Sequence, residues 1–412
     1  MNNLKRVSPQ GRHFFFGYYD KTPWNETEDK LLGMEAGFKN RMPTEDDYLT
    51  IGWFDLQNDC KWHPAGNTNT WNFQQGCMLQ WIGEDRFIYN AKNDNDERVA
   101  RVQDTNGNIL KELTSHIYSI SHNKNYAMVI DFGRLHQYRP GYGYAGVKEV
   151  IPNDEDGIFR LNLNNGYREL VVPYSHFVTE GYVPVNSSFW IDHILFSPDD
   201  EKIAFLLRHL TDDGGMYSRV FVADIQGSAV ECILNTGMAG HADWYDSNTF
   251  AVWGRKKNIV KTIQNNAFLK KIARKLITRV RRRGVSPMVR NAVYGDCFLM
   301  VDITKKIVWK FAQNIPTRDG GGHFSFDKTG NLMLNDTGID DKGYRALMLY
   351  ELNEGKRRDI ETCYIDPDIH YTPWRCDLHP RWSPNDDFIC VDSIHEGFRG
   401  IYILESKKGV LE

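Results

Sequence analysis

The sequence predicts an all-β chain, a seven-bladed β-propeller occupying residues 1–412 as one domain, with a basic helical insertion at 255–292 in blade five. Three observations predict it. An apolar residue, a turn rich in Asp, Asn, Ser, Gly or Pro, and then a hydrophobic strand recur seven times. In several copies an Arg opens a further strand ending in an acid: RVARVQD from Arg98, RVFVAD from Arg219, RALMLYE from Arg345 and RGIYILE from Arg399. The last copy runs out of chain soon after IYILES, too early for a good strand of its own.

In chain order the turns read PWNETEDKLLG, QWIGEDRFIY, SISHNKNYAMV, LFSPDDEKIAF, DWYDSNTFAVW, SFDKTGNLML and RWSPNDDFICV. Trp24, Trp81, Ile120, Phe196, Trp244, Phe326 and Trp382 are the apolar plugs before them. Such units hide their sheet edges by radial repetition, and the connecting segments supply a fourth strand. The short final blade predicts that residues near Leu4 to Ser8 complete it and lock the ring.

At 41% hydrophobic and 13% aromatic the chain has ample material for a large core and too much for disorder. Its first apolar run, Phe14 to Phe16, is too short for a secretory segment or a membrane span. Seven cysteines, odd in number and without CxxC spacing, argue against a disulfide framework. A cytoplasmic protein is expected.

Three residues before each plug stand Lys21, Met78, Ile117, His193, His241, His323 and His379. Four consecutive blades therefore place histidine where the innermost strand begins, at one height around the channel. Imidazoles so placed can converge, and neutral imidazole is a common ligand of Zn, Mn or Fe. Asp377, in RCDLHPRW, is the nearest carboxylate. The candidate metal set is His193, His241, His323, His379 and Asp377, for a divalent metal such as Zn, Mn or Ca. A purely structural role, hydrogen-bonding backbone between blades, is the alternative.

A second cluster lies on blades three and four. The segment RLHQYRPGYGYAG reads as a loop carrying Arg134, His136, Tyr138, Arg139, Tyr142 and Tyr144, and His116 precedes it at the start of an inner strand. Tyr182 in TEGYVPVN and Arg208 at the end of IAFLLR flank it. Tyrosines and arginines around a polar pocket suit a sugar ring with a carboxylate.

The motifs HFFFGYYDKTPWN, TWNFQQGCMLQWIG, DHILFSPDDEKIAFLLRH, GHADW and RCDLHPRWSPNDDFICVDSIHEGFRGIYIL resemble the propeller polysaccharide lyases. That superfamily includes oligogalacturonate and ulvan lyases, with related propeller α-L-rhamnosidases, and the likeness spans nearly the whole chain. The ulvan-lyase pattern implies His116, His136, Tyr182 and Arg208 as catalytic residues. The oligogalacturonate-lyase pattern implies His193 as base and a cation on His241 and His379, although Asp377 stands where that family has a further histidine. Tyr19, Gln75, Arg134, Tyr138 and Arg139 are the expected substrate-binding residues. The expected reaction is β-elimination on an acidic poly- or oligosaccharide: an arginine or metal neutralises a uronate carboxylate, a histidine removes the adjacent proton, and Tyr182 protonates the leaving oxygen. Hydrolysis at the same face, or glycan or protein binding without turnover, are the alternatives.

Residues 255–292 hold thirteen Lys or Arg and no acid. Within them NAFLKKIARKLITRVRRRG has Phe268, Ile272, Leu276 and Val280 at four-residue spacing, the pattern of an amphipathic helix with a cationic face. An anionic membrane surface or an acidic polysaccharide is its expected partner, and nucleic acid is disfavoured by the acidic remainder of the chain. This places the enzyme in the cytoplasm, peripheral to the inner membrane.

Overall fold

The computed structural model describes residues 4–146, 151–212, 214–256, 295–316, 321–365 and 367–406. These residues form seven four-stranded antiparallel sheets, each built from strands consecutive in the chain except one. The exception is the predicted closure. The strand Lys5–Arg6 pairs with Gly400–Glu405, at Lys5↔Ile403 and Arg6↔Tyr402, and becomes the outermost strand of the seventh sheet.

The recurring turn explains why the repeat is legible. In five copies Glu28, Lys124, Asp200, Gly330 and Asp386 take positive φ of 58°, 61°, 59°, 69° and 59°. Each donates its backbone N–H to the carbonyl three residues back, on Asn25, Ser121, Ser197, Asp327 or Ser383. A type I turn followed by one left-handed residue is a standard link between two antiparallel strands, and polar residues at its start cap the local amides. The strands that follow are buried along almost their whole length, covered on both faces by neighbouring sheets, and the plugs Trp24 and Trp81 are 1% and 7% exposed. The core thus lies between neighbouring sheets around the ring.

Val7 extends the closing strand, donating its N–H to the Ile401 carbonyl at 2.9 Å, and its side chain is buried. Val7→Pro deletes that donor and leaves the carbonyl short of a partner. The expected cost is about 2 kcal/mol, read as a lower urea midpoint at unchanged slope; an unchanged midpoint would mean that the strand adds nothing to ring stability.

Two expectations need correction or set limits. The segment from Arg134 onward is not a loop throughout: Phe132–Tyr138 is a helix, because Asp131 accepts the N–H groups of Gly133 and Arg134 as an N-cap. The amphipathic pattern at 268–280 lies outside the described residues. Among the described residues the cysteines are free, and no helix is long and apolar enough to cross a membrane.

Candidate functional site

The four histidines meet on the channel axis. Ring centroids are 6.2 Å apart for His193 and His241, 4.0 Å for His241 and His323, and 4.3 Å for His323 and His379. His193 and His379 adopt left-handed backbone, with φ of 55° and 42°. For a bulky residue this is a costly conformation, and its recurrence at equivalent positions marks a geometry the fold enforces. Burial holds the pKa of His193 down to about 3, and those of His241 and His379 well below the ordinary imidazole value, so these rings are neutral at neutral pH.

Tyr18, which the repeat alignment passes over, fills the centre of this ring. Its centroid lies 5.2, 6.4, 5.8 and 4.9 Å from those of His193, His241, His323 and His379, and its hydroxyl is 3.1 Å from His193 Nε2. It gets there because the first blade's inner strand, His13–Phe15, leaves the ladder and rejoins it only at Trp24. The excursion is clamped from the seventh blade. Asp392 accepts the N–H groups of Phe16 and Gly17 at 3.1 and 3.2 Å, and Arg381 donates to the Tyr18 carbonyl at 3.0 Å and to Asp392 at 2.9 Å. The local signal is HFFFGYYD, where Gly17 takes φ +119° with Gln75 backbone 3.0 Å from where a Cβ would sit.

His323, His379 and Asp377 each offer one ligand atom, all within 4.8 Å of one another. His323 Nδ1 lies 3.0 Å from Asp336, which can only accept; Nδ1 therefore carries the proton and Nε2 presents a lone pair to the channel. The Nε2 atoms of His323 and His379 are both buried with no hydrogen-bond partner among the described residues. Two orphaned imidazole nitrogens beside a carboxylate, one ring oriented by a second carboxylate, form a donor set that fits a first-row divalent cation. Arg345 bridges Asp336 at 2.9 Å and Asp377 at 2.8 Å, and Arg375 holds Asp377 from its other side at 2.6 Å. Burial works against ionisation of Asp377, yet Arg375 and Arg345 hold its pKa well below the usual carboxylate range. Asp336 is held down likewise, against its burial, by His323 and Arg345.

A cavity of about 350 Å³ opens beside this centre, lined among others by His241, Thr337, Arg345, His370, Tyr371 and Arg375. His241 Nδ1 sits 2.7 Å from the Gly321 carbonyl, which fixes the proton on Nδ1 and leaves the lone pair on Nε2. Its neighbour His370 is half-buried, and burial lowers its pKa to about 4.

The second cluster does not assemble as expected. His116 donates from Nε2 to the Ala91 carbonyl at 3.0 Å and stands edge-on to Phe132 and Tyr144, a satisfied core histidine. His136 is half-buried on the last turn of the helix Phe132–Tyr138. Among the described residues neither makes a ring contact with the four histidines. Tyr182 packs on Phe221 at 4.9 Å, toward the outer strands of blade four. Arg208 is spent on Asp192 at 2.9 Å, the Ser218 hydroxyl at 2.8 Å and the Ala239 carbonyl at 3.2 Å.

The expected substrate contacts are mostly internal too. Arg134 pairs with buried Asp156 at 2.6 Å, and Tyr19 exchanges hydrogen bonds with the Ala242 backbone at 2.9 and 2.8 Å. Gln75 donates to the Tyr118 hydroxyl at 2.7 Å, which in turn accepts the His193 N–H at 2.8 Å, so Gln75 braces the ring from behind. Arg139 pairs with Asp192 at 2.5 Å and lies over Tyr142, and Tyr138 stacks on Trp190. Arg208→Met would leave buried Asp192 with one cation fewer, at an expected cost of about 3 kcal/mol in urea unfolding; full stability with lost activity would instead return Arg208 to the chemistry.

No sequence-defined protein family matches this chain, and no curated protein sequence does either. Solved structures do. An oligogalacturonate lyase in complex with manganese is 14% identical with a TM-score of 0.64, covering 99% of this chain and 94% of that one. The oligogalacturonate lyase of Vibrio parahaemolyticus is 14% identical with a TM-score of 0.58, covering 98% and 93%. Hydrazine synthase of Kuenenia stuttgartiensis, 10% identical, reaches 0.50 over 97% and 99%. At such identities the likeness is one of fold, shared by proteins of unlike function, and it agrees with the strand order: the chain is a seven-bladed β-propeller.

Proposed function

We propose that the channel mouth is a metal-dependent lyase site that cleaves a uronate-containing oligosaccharide by β-elimination. The observation that carries this reading is the pair of orphaned nitrogens, His323 Nε2 and His379 Nε2, beside Asp377, opening on a cavity with an arginine edge and a correctly protonated histidine. The manganese complex of a lyase with the same fold lends it support. His323, His379 and Asp377 would hold the cation, and three protein ligands leave positions free for substrate oxygens. A divalent cation there supplies positive charge that acidifies the carbon next to a uronate carboxylate.

The chain's own residues do the rest. Arg375, partly exposed and lining the cavity, would pair the carboxylate through Nη1, its Nε being held by Asp377 and its Nη2 by the Tyr142 hydroxyl, whereas Arg208 is buried on Asp192. His241 Nε2 accepts the proton from the adjacent carbon as that C–H bond breaks. The electron pair forms the new C=C bond, the bond to the linking oxygen breaks, and that oxygen takes a proton from water, whose hydroxide is neutralised by the proton now on His241. Tyr18, its pKa raised far above the ordinary phenol value chiefly by burial, stays neutral and holds the ring of imidazoles apart.

The test is incubation with oligogalacturonides, with and without chelator, following ultraviolet absorbance of the unsaturated product. Chelator-sensitive absorbance is the expected result. Cleavage without absorbance would replace elimination by hydrolysis.

A further inference from the structure

We infer that the rim of blade six carries a second, non-catalytic glycan subsite, a tyrosine platform that receives the part of an acidic oligosaccharide projecting from the cavity. The inference rests on the glycan-cleaving reading above and extends it to the length of substrate. Tyr344, Tyr364 and Tyr371 are 45%, 43% and 77% exposed, an unusual outlay of aromatic surface for one edge of a sheet.

The first two form a built pair. Tyr344 opens the strand Tyr344–Glu351, Tyr364 closes the strand Lys356–Tyr364, and they are direct cross-strand partners with ring centroids 5.6 Å apart at 66°. The turn behind them is fixed. Asp340 accepts the N–H groups of Lys342 and Tyr344 on its carboxylate at 2.8 Å each, and Gly343, at φ +87°, donates to the Asp340 carbonyl at 3.1 Å. A Cβ on Gly343 would lie 2.8 Å from the Tyr364 ring, so glycine is required for the pair to sit as it does.

Continuity with the cavity identifies the occupant. Arg345, next to Tyr344, lines the cavity, as does Thr337, which is hydrogen-bonded to Ala346 at 2.9 Å. After Tyr364 the chain turns through the short helix Pro367–His370 to Tyr371, which is itself on the cavity wall. A cavity of about 350 Å³ holds only a short piece of glycan, and on this inference the next rings of the chain pass over this edge. The separate aromatic faces, with exposed Thr362 beside them, suit the C–H faces and hydroxyls of sugars; Asp340 is taken up by the amides of Lys342 and Tyr344, and the Lys342 cation offsets Asp341. A protein partner would call for a continuous apolar patch instead.

Binding of a galacturonate disaccharide and hexasaccharide is measured by calorimetry on His241→Ala, which prevents cleavage, alone and combined with Tyr344→Ala and Tyr364→Ala. The hexasaccharide is expected to bind about tenfold more weakly to the combined variant, roughly 1.4 kcal/mol, with the disaccharide unchanged and Tyr344→Trp restoring the difference. Equal losses for both lengths, no loss for either, or no binding of the hexasaccharide to the parent overturns the platform. Length-dependent binding by a wild-type chain that never yields unsaturated product upholds the platform while refuting the lyase.

Discussion

His323→Ala is expected to strip the channel of its cation. Purified without a histidine tag, the wild-type chain should carry about one divalent ion and the variant close to none, with eliminating activity down at least about a hundredfold. The reasoning is geometric. His323 sits between His241 and His379 in the ring, at 4.0 and 4.3 Å, and is the histidine whose tautomer a carboxylate fixes. A gentler variant separates orientation from ligation. Asp336→Asn keeps size and shape but removes the charge that fixes the proton on Nδ1, and should weaken metal affinity about 10–100-fold while His323 remains. Metal content unchanged in both variants would remove the centre from the argument and return the four histidines to a structural role.

His241→Ala is expected to separate chemistry from binding. The variant should keep its metal, because His241 is outside the ligand group, and lose roughly 10²–10⁴ in kcat with KM little changed. The Gly321 carbonyl takes His241 Nδ1 and leaves Nε2 as the atom proposed to receive the proton. Loss of metal together with activity would show His241 to be a ligand. Full activity would pass the role of base to His193, the residue the oligogalacturonate-lyase resemblance implies, although its Nε2 is engaged by Tyr18 at 3.1 Å.

The ring and its histidines were legible because both follow from a repeat. A turn needing one left-handed residue recurs at Lys124, Asp200 and Asp386, and a histidine three residues before the plug inherits its position from its blade. What breaks the repeat was not legible. Tyr18 reaches the axis through an excursion peculiar to blade one, and no copy elsewhere could have flagged it. For the other assigned residues the sequence lacks a different kind of information. Arg134, Arg208, Tyr19 and His116 look chemically ready in a sequence, but their partners Asp156, Asp192, Ala242 and Ala91 are remote in the chain and close in space. Residue type reports what a group can do, and only packing reports whether it is already engaged. Arg375 shows the converse. It stands two residues before Asp377, which it holds at 2.6 Å, in the segment that leads to His379.

The clamp that Arg381 and Asp392 place on Phe16, Gly17 and Tyr18 ties function to closure of the ring. Tyr18 and its anchor Arg381 are 363 residues apart in the chain, so a chain interrupted before the seventh sheet has no assembled centre. Competence therefore depends on the seventh sheet taking hold of the segment that carries Tyr18.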